Sequence, residues 1–530
     1  MNQRLEVEPR GPMLETRDGG RHSALALDAD AFRSLGHRLI DRIAERLDAV
    51  PRGPVTRHEP PSVVREALEL GGPLPEFGVE PGRLLAEVTE RLFDHSLLNA
   101  HPRFFGYITA APAPIGMLGD LLASALNANV GARTLSPAAT ELEAQTVSWI
   151  AELIGYPTGC GGLLVSGGNM ANLVGLLAAR AAAPNWNVRE DGVVGPERRR
   201  LRLYASTEAH TWIQKAADIG GLGTTSIRWV PVDASLRMNV DALRALVAAD
   251  ANAGDIPCLV AGTAGSVSTG TVDPLREIAA VCRAYDVWFH VDGAYGAFAA
   301  ALPNASADLR ALDVADSVAV DPHKWLYAPL EAGCILVRDK AALRAAFAYH
   351  PPYYHFGEHE TNYLDYGPQN SRGFRALKVW LALKHAGAAG YRQMIADDIA
   401  LARAMAAAIA AQPELELVTQ ELSITTFRYV PSDVRDRTDE EPVERHLDIL
   451  NRRLLARLQD GGETFVSNAI VGGRYLLRAC IVNFHTTRAD VVALPEIVVH
   501  AGRQVDASLR GPASPRPGGL AVEDPPRSRG

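Results

Sequence analysis

Short apolar runs separated by helix-length segments fill the region from about residue 140 to about residue 340, and they constrain the fold more than any other feature of the sequence. Runs of this kind are typical of strands that are buried on both faces. Their alternation with helical segments predicts an α/β unit with a mostly parallel sheet flanked by helices. The strand candidates are GLLVSG, LRLYAS, SIRWVPV, CLVAGTAG, VWFHVDGA, DSVAVD and AGCILVR.

Other patterns flank this unit. Apolar residues at helical spacing from Phe32 to Leu47 follow possible N-caps at Asp28 and Asp30, and the Pro-rich segment VPRGPV ends that helix. Ala-rich helices and apolar runs toward the end predict a smaller α+β domain. Both termini are polar or rich in Pro, Gly and Arg, which predicts disordered tails. The expected division is a tail (1–25), a helical dimerisation arm (26–105), a large α/β domain (106–375), a small α+β domain (376–505) and a second tail (506–530).

Composition excludes several classes of protein. The 530 residues carry a net charge of −9, the wrong sign for a protein that neutralises nucleic-acid phosphates. No apolar stretch approaches the ~20 residues of a membrane span, and the N-terminus is charged where a signal peptide would be apolar. The five cysteines stand singly, which favours reduced thiols and disfavours structural zinc. We expect a cytoplasmic protein without nucleic-acid or membrane partners.

Polar side chains follow two of the strand candidates. His290 and Asp292 end one strand, and Asp321, His323 and Lys324 follow another. Asp292 and Lys324 are 32 positions apart, about one strand-helix-strand unit, so neighbouring strand ends can bring them together. Taken alone, the two residues could equally be an acidic helix cap and a solvated loop lysine.

A third element combines glycines with a helix start. Gly167, Gly168 and Asn169 join an apolar run to a helical stretch, and the free N–H groups there can hold a phosphate. The segment is neither a Walker A loop nor a G-x-G-x-x-G motif, so nucleotides lose support. A cofactor with one phosphate, a basic ring nitrogen and an aldehyde would use all three elements, and pyridoxal phosphate (PLP) is that cofactor. His210, just after another strand candidate, could cover its ring or be structural.

Several motifs in order resemble one enzyme family. They are HPRFFGYITAAPAP, SPAATELEAQTVSWI, VSGGNMANLVGLLAAR, STEAHTWIQKAA, GTAGSVSTGTVDPLREIA, FHVDGAYGAF and DPHKWLYAPLEAGCILV. From about residue 28 to about 500 the chain resembles the PLP-dependent group II amino acid decarboxylases, especially the aromatic L-amino acid branch. The resemblance implies a fold-type I PLP enzyme with a seven-stranded sheet. It also implies a homodimer in which the N-terminal helices wrap the partner.

The resemblance assigns roles around the cofactor ring. Lys324 would carry the internal aldimine, Asp292 would pair with the ring nitrogen, Ala294 would lie against the ring, and His210 would stack on its other face. The substrate would then lose CO2 through an external aldimine and a quinonoid.

Further positions would hold the phosphate end. Gly168 and Asn169 would bind the phosphate through their backbone, with Asp321 and His323 closing that end of the pocket. Thr263 is a further expected ligand, although Gly262-Thr263-Ala264 stands where some relatives have Gly-Thr-Thr.

The resemblance also points to the proton donor. In this family a tyrosine on a loop after the lysine strand is the proposed donor, and Tyr353 takes that place. Related aldehyde synthases have Phe there, so Tyr353 favours an amine product; the alternative is a tyrosine that only packs under the loop. The same loop contains His355–His359 in an H-x-x-E-H pattern, but Pro351, Pro352 and Gly357 disfavour the helix that a zinc site needs, and we expect no metal.

The substrate pocket is expected near Tyr107, Ile108 and Ala110. A β-branched wall at Ile108 suits a flat ring or an apolar side chain. The matched segments offer no obvious arginine for a second carboxylate, which disfavours glutamate and aspartate, although Arg103 or a partner residue could serve. The sequence thus predicts decarboxylation of an L-amino acid to the amine and CO2, and the expected substrate is an aromatic one. An aldehyde synthase, a transaminase-like enzyme, a decarboxylase of another amino acid and a non-catalytic binding protein are the alternatives.

Overall fold

A computed structural model describes residues 23–194, 199–351 and 360–510. By their internal contacts the residues form two units. The first contains the chain up to Ala49 together with Glu59–Ser96, and the second contains Val50–His58 and the chain from Leu97 onward.

The first unit is helical. Its helices are α1 (Ala29–Ala49), α2 (Pro61–Ala67) and α3 (Pro81–Asp94). Asp28, one of the two expected caps, accepts a 2.7 Å hydrogen bond from the Ala31 amide. Ion pairs of Arg42 with Glu90 and of Arg46 with Asp94 join α1 to α3. Apolar side chains of these helices nevertheless remain exposed: Phe32, Ile40, Leu84, Leu85, Val88 and Leu92.

A seven-stranded sheet forms the centre of the second unit, in the order β1-β7-β6-β5-β4-β2-β3. Its strands are β1 (Gly161–Val165), β2 (Leu201–Ser206), β3 (Ile227–Val230), β4 (Ile256–Thr263), β5 (Trp288–Asp292), β6 (Ser317–Val320) and β7 (Gly333–Val337). Only β7 runs antiparallel to its neighbours. Each strand overlaps one of the seven predicted runs, and the expected mostly parallel α/β sheet is confirmed.

Helices accompany this sheet and continue into the C-terminal region. They are α4 (Pro114–Leu126), α5 (Pro137–Ile154), α6 (Gly168–Ala182), α7 (Val188–Asp191), α8 (Trp212–Ile219), α9 (Val240–Asn252), α10 (Leu275–Tyr285), α11 (Ala307–Arg310), α12 (Lys340–Phe347), α13 (Ala376–Ala410), α14 (Glu441–Gly461) and α15 (Arg488–Arg510). None of the helices in the described ranges has the length and apolar character needed to cross a bilayer.

The C-terminal region contains a second, antiparallel sheet in the order β10-β11-β9-β8. Its strands are β8 (Leu415–Glu421), β9 (Ile424–Tyr429), β10 (Ser467–Val471) and β11 (Arg474–Cys480). Helices α13, α14 and α15 pack against this sheet. Helix α15 is described as far as Arg510, which forms ion pairs with Asp506 and Asp433.

Candidate active site

A cavity of about 550 Å³ lies at the carboxyl ends of the parallel strands, where ligands collect in such sheets. Most of the candidate residues from the sequence line it: Tyr107, Ile108, Gly168, Asn169, His210, Thr263, Asp292, Ala294, Asp321, His323 and Lys324. Ala110 does not. It is buried, and its carbonyl accepts a hydrogen bond from the Asn99 side chain. Tyr353 lies outside the described residues.

The lysine amine lies beside a buried carboxylate. Lys324 Nζ is 3.0 Å from Asp321 Oδ2, and His323 Nε2 is 3.7 Å from the same oxygen. Asp321 is 2% exposed, and within the described residues its Oδ1 has no hydrogen-bond partner. The end of β6 therefore presents an amine that can react with an aldehyde, next to an acceptor that is only partly used.

Asp292 occupies the last position of β5, opposite Thr263 on β4. The Asp292 side chain is buried and accepts a hydrogen bond from the Ala294 amide at 3.2 Å. It forms no ion pair within the described part of the chain. A buried carboxylate without a cation is costly, and a protonated ring nitrogen is the kind of partner that would offset this cost.

The glycines at the start of α6 are required by close contacts. Gly167 has φ +152°, and α6 begins at Gly168. A Cβ on Gly168 would lie 2.7 Å from Asp321 Oδ2, and one on Gly333 would lie 2.5 Å from the Gly167 backbone. The first N–H groups of α6 are therefore open to the cavity without a side chain in front of them, as an anion cradle requires.

His210 and His323 line the cavity, and the surroundings of both rings favour the neutral imidazole. His210 Nδ1 accepts a hydrogen bond from the Trp212 amide at 3.2 Å, and His323 Nδ1 accepts one from the Ala332 amide at 3.2 Å. Burial lowers the pKa of both imidazoles. Each ring therefore keeps its Nε2–H as a donor, and neither adds a permanent charge.

His290, the other histidine near a strand end, is structural. Its Nδ1 is 2.7 Å from Ser317 Oγ and its Nε2 is 2.6 Å from Asn172 Oδ1. Burial lowers its pKa to about 4. Both ring nitrogens are used inside the core, so His290 does not line the cavity.

Thr263 is held in place by a buried carboxylate. Asp273 Oδ2 accepts a hydrogen bond from the Thr263 amide at 2.8 Å, and the Asp273 amide donates to the Thr263 carbonyl at 2.9 Å. Burial raises the pKa of Asp273 to about 6. This ring of hydrogen bonds fixes the end of β4 beside Asp292.

Arg478 is a cavity residue that the sequence analysis missed. It lies on β11, is 3% exposed and lines the cavity. Its Nη1 donates to the Tyr107 carbonyl at 3.1 Å and to Ser467 Oγ at 3.2 Å. Its Nε and Nη2 donate to no oxygen or nitrogen atom of the described residues, and Cys480 is the neighbouring thiol that interacts with the guanidinium. A buried guanidinium with unused donors can bind a carboxylate, and the signal in the sequence was its place in the otherwise apolar run LLRACIV.

Tyr107 and Ile108 line the cavity as expected, but Arg103 does not. Tyr107 is 58% exposed and its ring lies 6.2 Å from that of Phe465, while Ile108 is half-buried. Arg103 does not line the cavity, because its Nε pairs with Asp490 Oδ1 at 3.2 Å. The suggested role of Arg103 in binding a second carboxylate is therefore not supported. The H-x-x-E-H segment lies outside the described residues.

These groups fit one kind of cofactor. A buried carboxylate without a cation, an amine at a strand end and a glycine-lined helix start meet in one cavity, which is the set that PLP requires. The site is thus that of a PLP enzyme.

Comparison with known proteins gives the same class. The model of the pyridoxal-dependent decarboxylase conserved domain matches residues 82–430. An aromatic-L-amino-acid decarboxylase of Bacillus atrophaeus is 33% identical over 89% of this chain and 95% of its own length. The crystal structure of Oryza sativa TDC with PLP and tryptamine has a TM-score of 0.83 and 28% identity, over 91% of this chain and 99% of that one. The Rhodiola rosea 4-hydroxyphenylacetaldehyde synthase structure has a TM-score of 0.79 and 26% identity, over 90% and 99%.

The chain belongs to the pyridoxal-dependent decarboxylase family. It is a PLP-dependent carboxy-lyase that acts on an amino acid, as the sequence analysis predicted.

Proposed function

We propose that the enzyme decarboxylates an aromatic L-amino acid to the corresponding amine and CO2. The observation that carries this proposal is the charge inventory of the cavity. Among its described lining residues Arg478 is the single guanidinium, so the site provides for one substrate carboxylate. Ile108, Val267 and Tyr107 add apolar surface. Relatives that carry aromatic amino acid or aromatic product names support the same substrate class.

The proposed roles of the residues follow from their chemistry. Lys324 Nζ binds the cofactor aldehyde, Asp292 holds the proton on the ring nitrogen, and His210 and Ala294 enclose the ring. When bound, PLP supplies an aldehyde for the amino group and a protonated ring that withdraws the electron pair left when CO2 departs. With Asp292 at the end of β5 and Lys324 after β6, both groups belong to adjacent strands, which supports this assignment.

Phosphate binding is assigned to the wall of the cavity formed by the start of α6. Gly168 and Asn169 offer backbone N–H groups at the start of α6, and His323 offers a neutral ring donor. Thr263 adds a hydroxyl from β4. Asp321 lies beside this cradle, because a Cβ on Gly168 would be 2.7 Å from its Oδ2, and we propose that it closes this end of the pocket while it pairs with Lys324.

Arg478 is proposed to bind the α-carboxylate of the substrate. Its two free guanidinium nitrogens can form a bidentate pair with a carboxylate. This contact would orient the bond that breaks, because the amino group would be held at the cofactor aldehyde and the carboxylate at Arg478. Ile108 and Val267 line the same cavity and would contact the substrate side chain.

The outcome of the reaction depends on Tyr353, which we propose as the proton donor to the substrate carbon. Aldehyde synthases are the second candidate class, because one of them is similar in structure to this chain. We expect Tyr353→Phe to lower amine formation and to raise aldehyde and hydrogen peroxide in the presence of O2. Unchanged product ratios would contradict the role of Tyr353.

A homodimer in a reducing compartment such as the cytoplasm completes the proposal. Helix α4 exposes Leu118, Leu121, Leu122 and Leu126 along one face, an apolar stripe that a second copy of the chain would cover. All five cysteines are free thiols, which supports a reducing compartment.

The proposal is tested with purified protein. Visible absorbance from the lysine-bound cofactor should disappear in Lys324→Ala, while Lys340→Ala, at the start of α12, serves as the matched control. A panel of L-amino acids, scored for CO2, amine, aldehyde and peroxide, should favour tryptophan, tyrosine or phenylalanine. Preferential release of CO2 from glutamate or aspartate would refute the substrate class, and cofactor absorbance retained in Lys324→Ala would refute the site.

A further inference from the structure

The turn that carries the lysine has an unusual backbone. Tyr327 has φ +53°, a left-handed conformation that is costly for a residue with a bulky side chain. Within the turn the Lys324 amide donates to the Asp321 carbonyl at 2.8 Å, and the Tyr327 amide donates to the Lys324 carbonyl at 3.1 Å. Such a conformation persists only when surrounding contacts determine it, so those contacts decide where the lysine amine lies.

A buried aspartate on α13 makes these contacts. Asp398 is 2% exposed, and its Oδ2 accepts hydrogen bonds from Trp325 Nε1 at 2.8 Å and from the Tyr327 hydroxyl at 2.7 Å. The carboxylate has no ion pair within the described residues, and the Asn483 amide also donates to it. One oxygen atom thus binds the side chains of Trp325 and Tyr327, the first and third residues after the lysine.

Neighbouring contacts make the grip specific to the lysine turn. Tyr391 lies on α13 about two helical turns before Asp398. Its hydroxyl donates to the Leu326 carbonyl at 3.0 Å. The Trp325 ring stacks on the Tyr295 ring, with centroids 4.8 Å apart and an angle of 17° between the planes. Tyr295 directly follows Ala294 in the loop after β5, and Asp292 is the last residue of β5. The stack therefore joins the lysine turn to this loop.

We propose that Asp398 is a positioning residue for Lys324, which acts through Trp325 and Tyr327 to hold the lysine turn in register with the end of β5. This inference rests on the proposed role of Lys324. It assigns a function to a buried carboxylate that does not line the cavity and touches neither substrate nor cofactor.

Asp398→Asn is the test variant, because it keeps the size of the side chain but leaves one oxygen for the three donors of Trp325, Tyr327 and Asn483 and turns an NH2 group toward at least one of them. Asp397→Asn is the matched control: Asp397 is the preceding residue on α13 and is exposed, with a hydrogen bond to Gln393. Tyr327→Phe removes a single oxygen from the same network and carries the test should Asp398→Asn fail to fold.

The first measurement is amide hydrogen exchange in the cofactor-free enzyme. In Asp398→Asn the peptide that spans residues 321–328 should exchange about 10-fold faster, since the amides of Tyr327 and Ala328 are hydrogen-bonded inside the turn. Exchange in Asp397→Asn should equal that of the wild type. Equal exchange of this peptide in all variants would overturn the proposal.

The second measurement uses the loaded enzyme. Misplacement of the amine should lower kcat by about 10- to 100-fold while KM stays within about twofold, because Arg478 and Ile108 are untouched. It should also shift the midpoint of the absorbance titration of the lysine-bound cofactor. A lower melting temperature with unchanged kcat and titration would show a purely structural role and refute the inference. If Lys324→Ala retained the cofactor absorbance, the proposed function would fail instead, and the exchange result would stand by itself.

Discussion

Single buried charges determine what this active site can bind. Arg478 arrives from the antiparallel C-terminal sheet, whereas Asp292 and Lys324 come from adjacent strands of the central sheet. Burial lowers the pKa of the Arg478 guanidinium. A buried cation without a counter-ion is costly, so the proposed binding of a substrate carboxylate here would provide both a salt bridge and relief of this cost.

Replacement of Arg478 should therefore weaken binding of the amino acid and not of the amine product. We expect Arg478→Met to lower kcat/KM by about 10- to 100-fold, the equivalent of a lost hydrogen bond to a charged group. Inhibition by the amine, which has no carboxylate, should change little. Arg478→Lys keeps the charge but loses the two parallel N–H donors of the guanidinium, so an intermediate effect is expected. Equal losses of affinity for acid and amine would show that the variant damages the cavity.

The ionisation of Asp398 should appear in the pH dependence of stability. Burial raises its pKa to about 7, above the ordinary value of 3.8, so the folded state holds this proton more tightly than the unfolded state. The stability that it contributes is full below about pH 4 and is lost as the pH rises through 7. The melting temperature of Asp398→Asn relative to the wild type should therefore rise between pH 5 and pH 8. A constant difference over this range would mean that the carboxylate is charged throughout.

At the scale of elements, a buried ion pair completes an edge of the central sheet. Strand β1 is an edge strand, and its Leu164 carbonyl accepts from Arg372 Nη2 at 2.6 Å while its Leu164 amide donates to Glu143 Oε1 at 2.8 Å. Glu143 and Arg372 are themselves paired and fully buried. The pair thus satisfies the open backbone groups of β1 just before the glycines that start α6.

Loss of one partner should cost more than loss of both. Arg372→Met leaves the Glu143 carboxylate buried and unpaired, which should lower the free energy of unfolding by about 3–5 kcal/mol. The double variant Glu143→Leu/Arg372→Met should be less destabilised than the sum of the two single variants. Urea unfolding of the four proteins in the cycle measures the coupling, and additive losses would contradict it.

At the scale of the whole molecule, the exposed apolar surface predicts assembly. The leucines of α4 lie three and four positions apart and are about half exposed, and the helices of the N-terminal unit also leave apolar side chains exposed. Surfaces of this kind are typical of subunit interfaces.

A charge placed on this stripe should therefore break the assembly. We expect the wild type to have the mass of a dimer in light scattering at micromolar concentration and Leu121→Glu to shift toward the monomer. Val492→Glu, at a half-exposed valine of α15, is the control and should remain dimeric. A wild-type monomer with full activity would refute the homodimer.

Residues that directly follow a strand, such as Asp292 and Lys324, could be placed at the cavity from the sequence. An apolar run followed by polar residues marks the carboxyl end of a strand wherever that strand lies in the sheet. Ala110 was expected near the cavity because Tyr107 and Ile108 precede it in the chain. Its side chain is buried away from the cavity, and its carbonyl accepts a hydrogen bond from the Asn99 side chain.

The sequence by itself determined the α/β class, the family and the polar side chains that follow the strands, because hydrophobic period and the order of motifs are local properties of the chain. Only the tertiary structure decided that Arg478 shares a cavity with Lys324 and that Asp398 grips the lysine turn. Both assignments depend on which charges lose their water and which distant elements approach them, and that follows from packing between segments far apart in the chain.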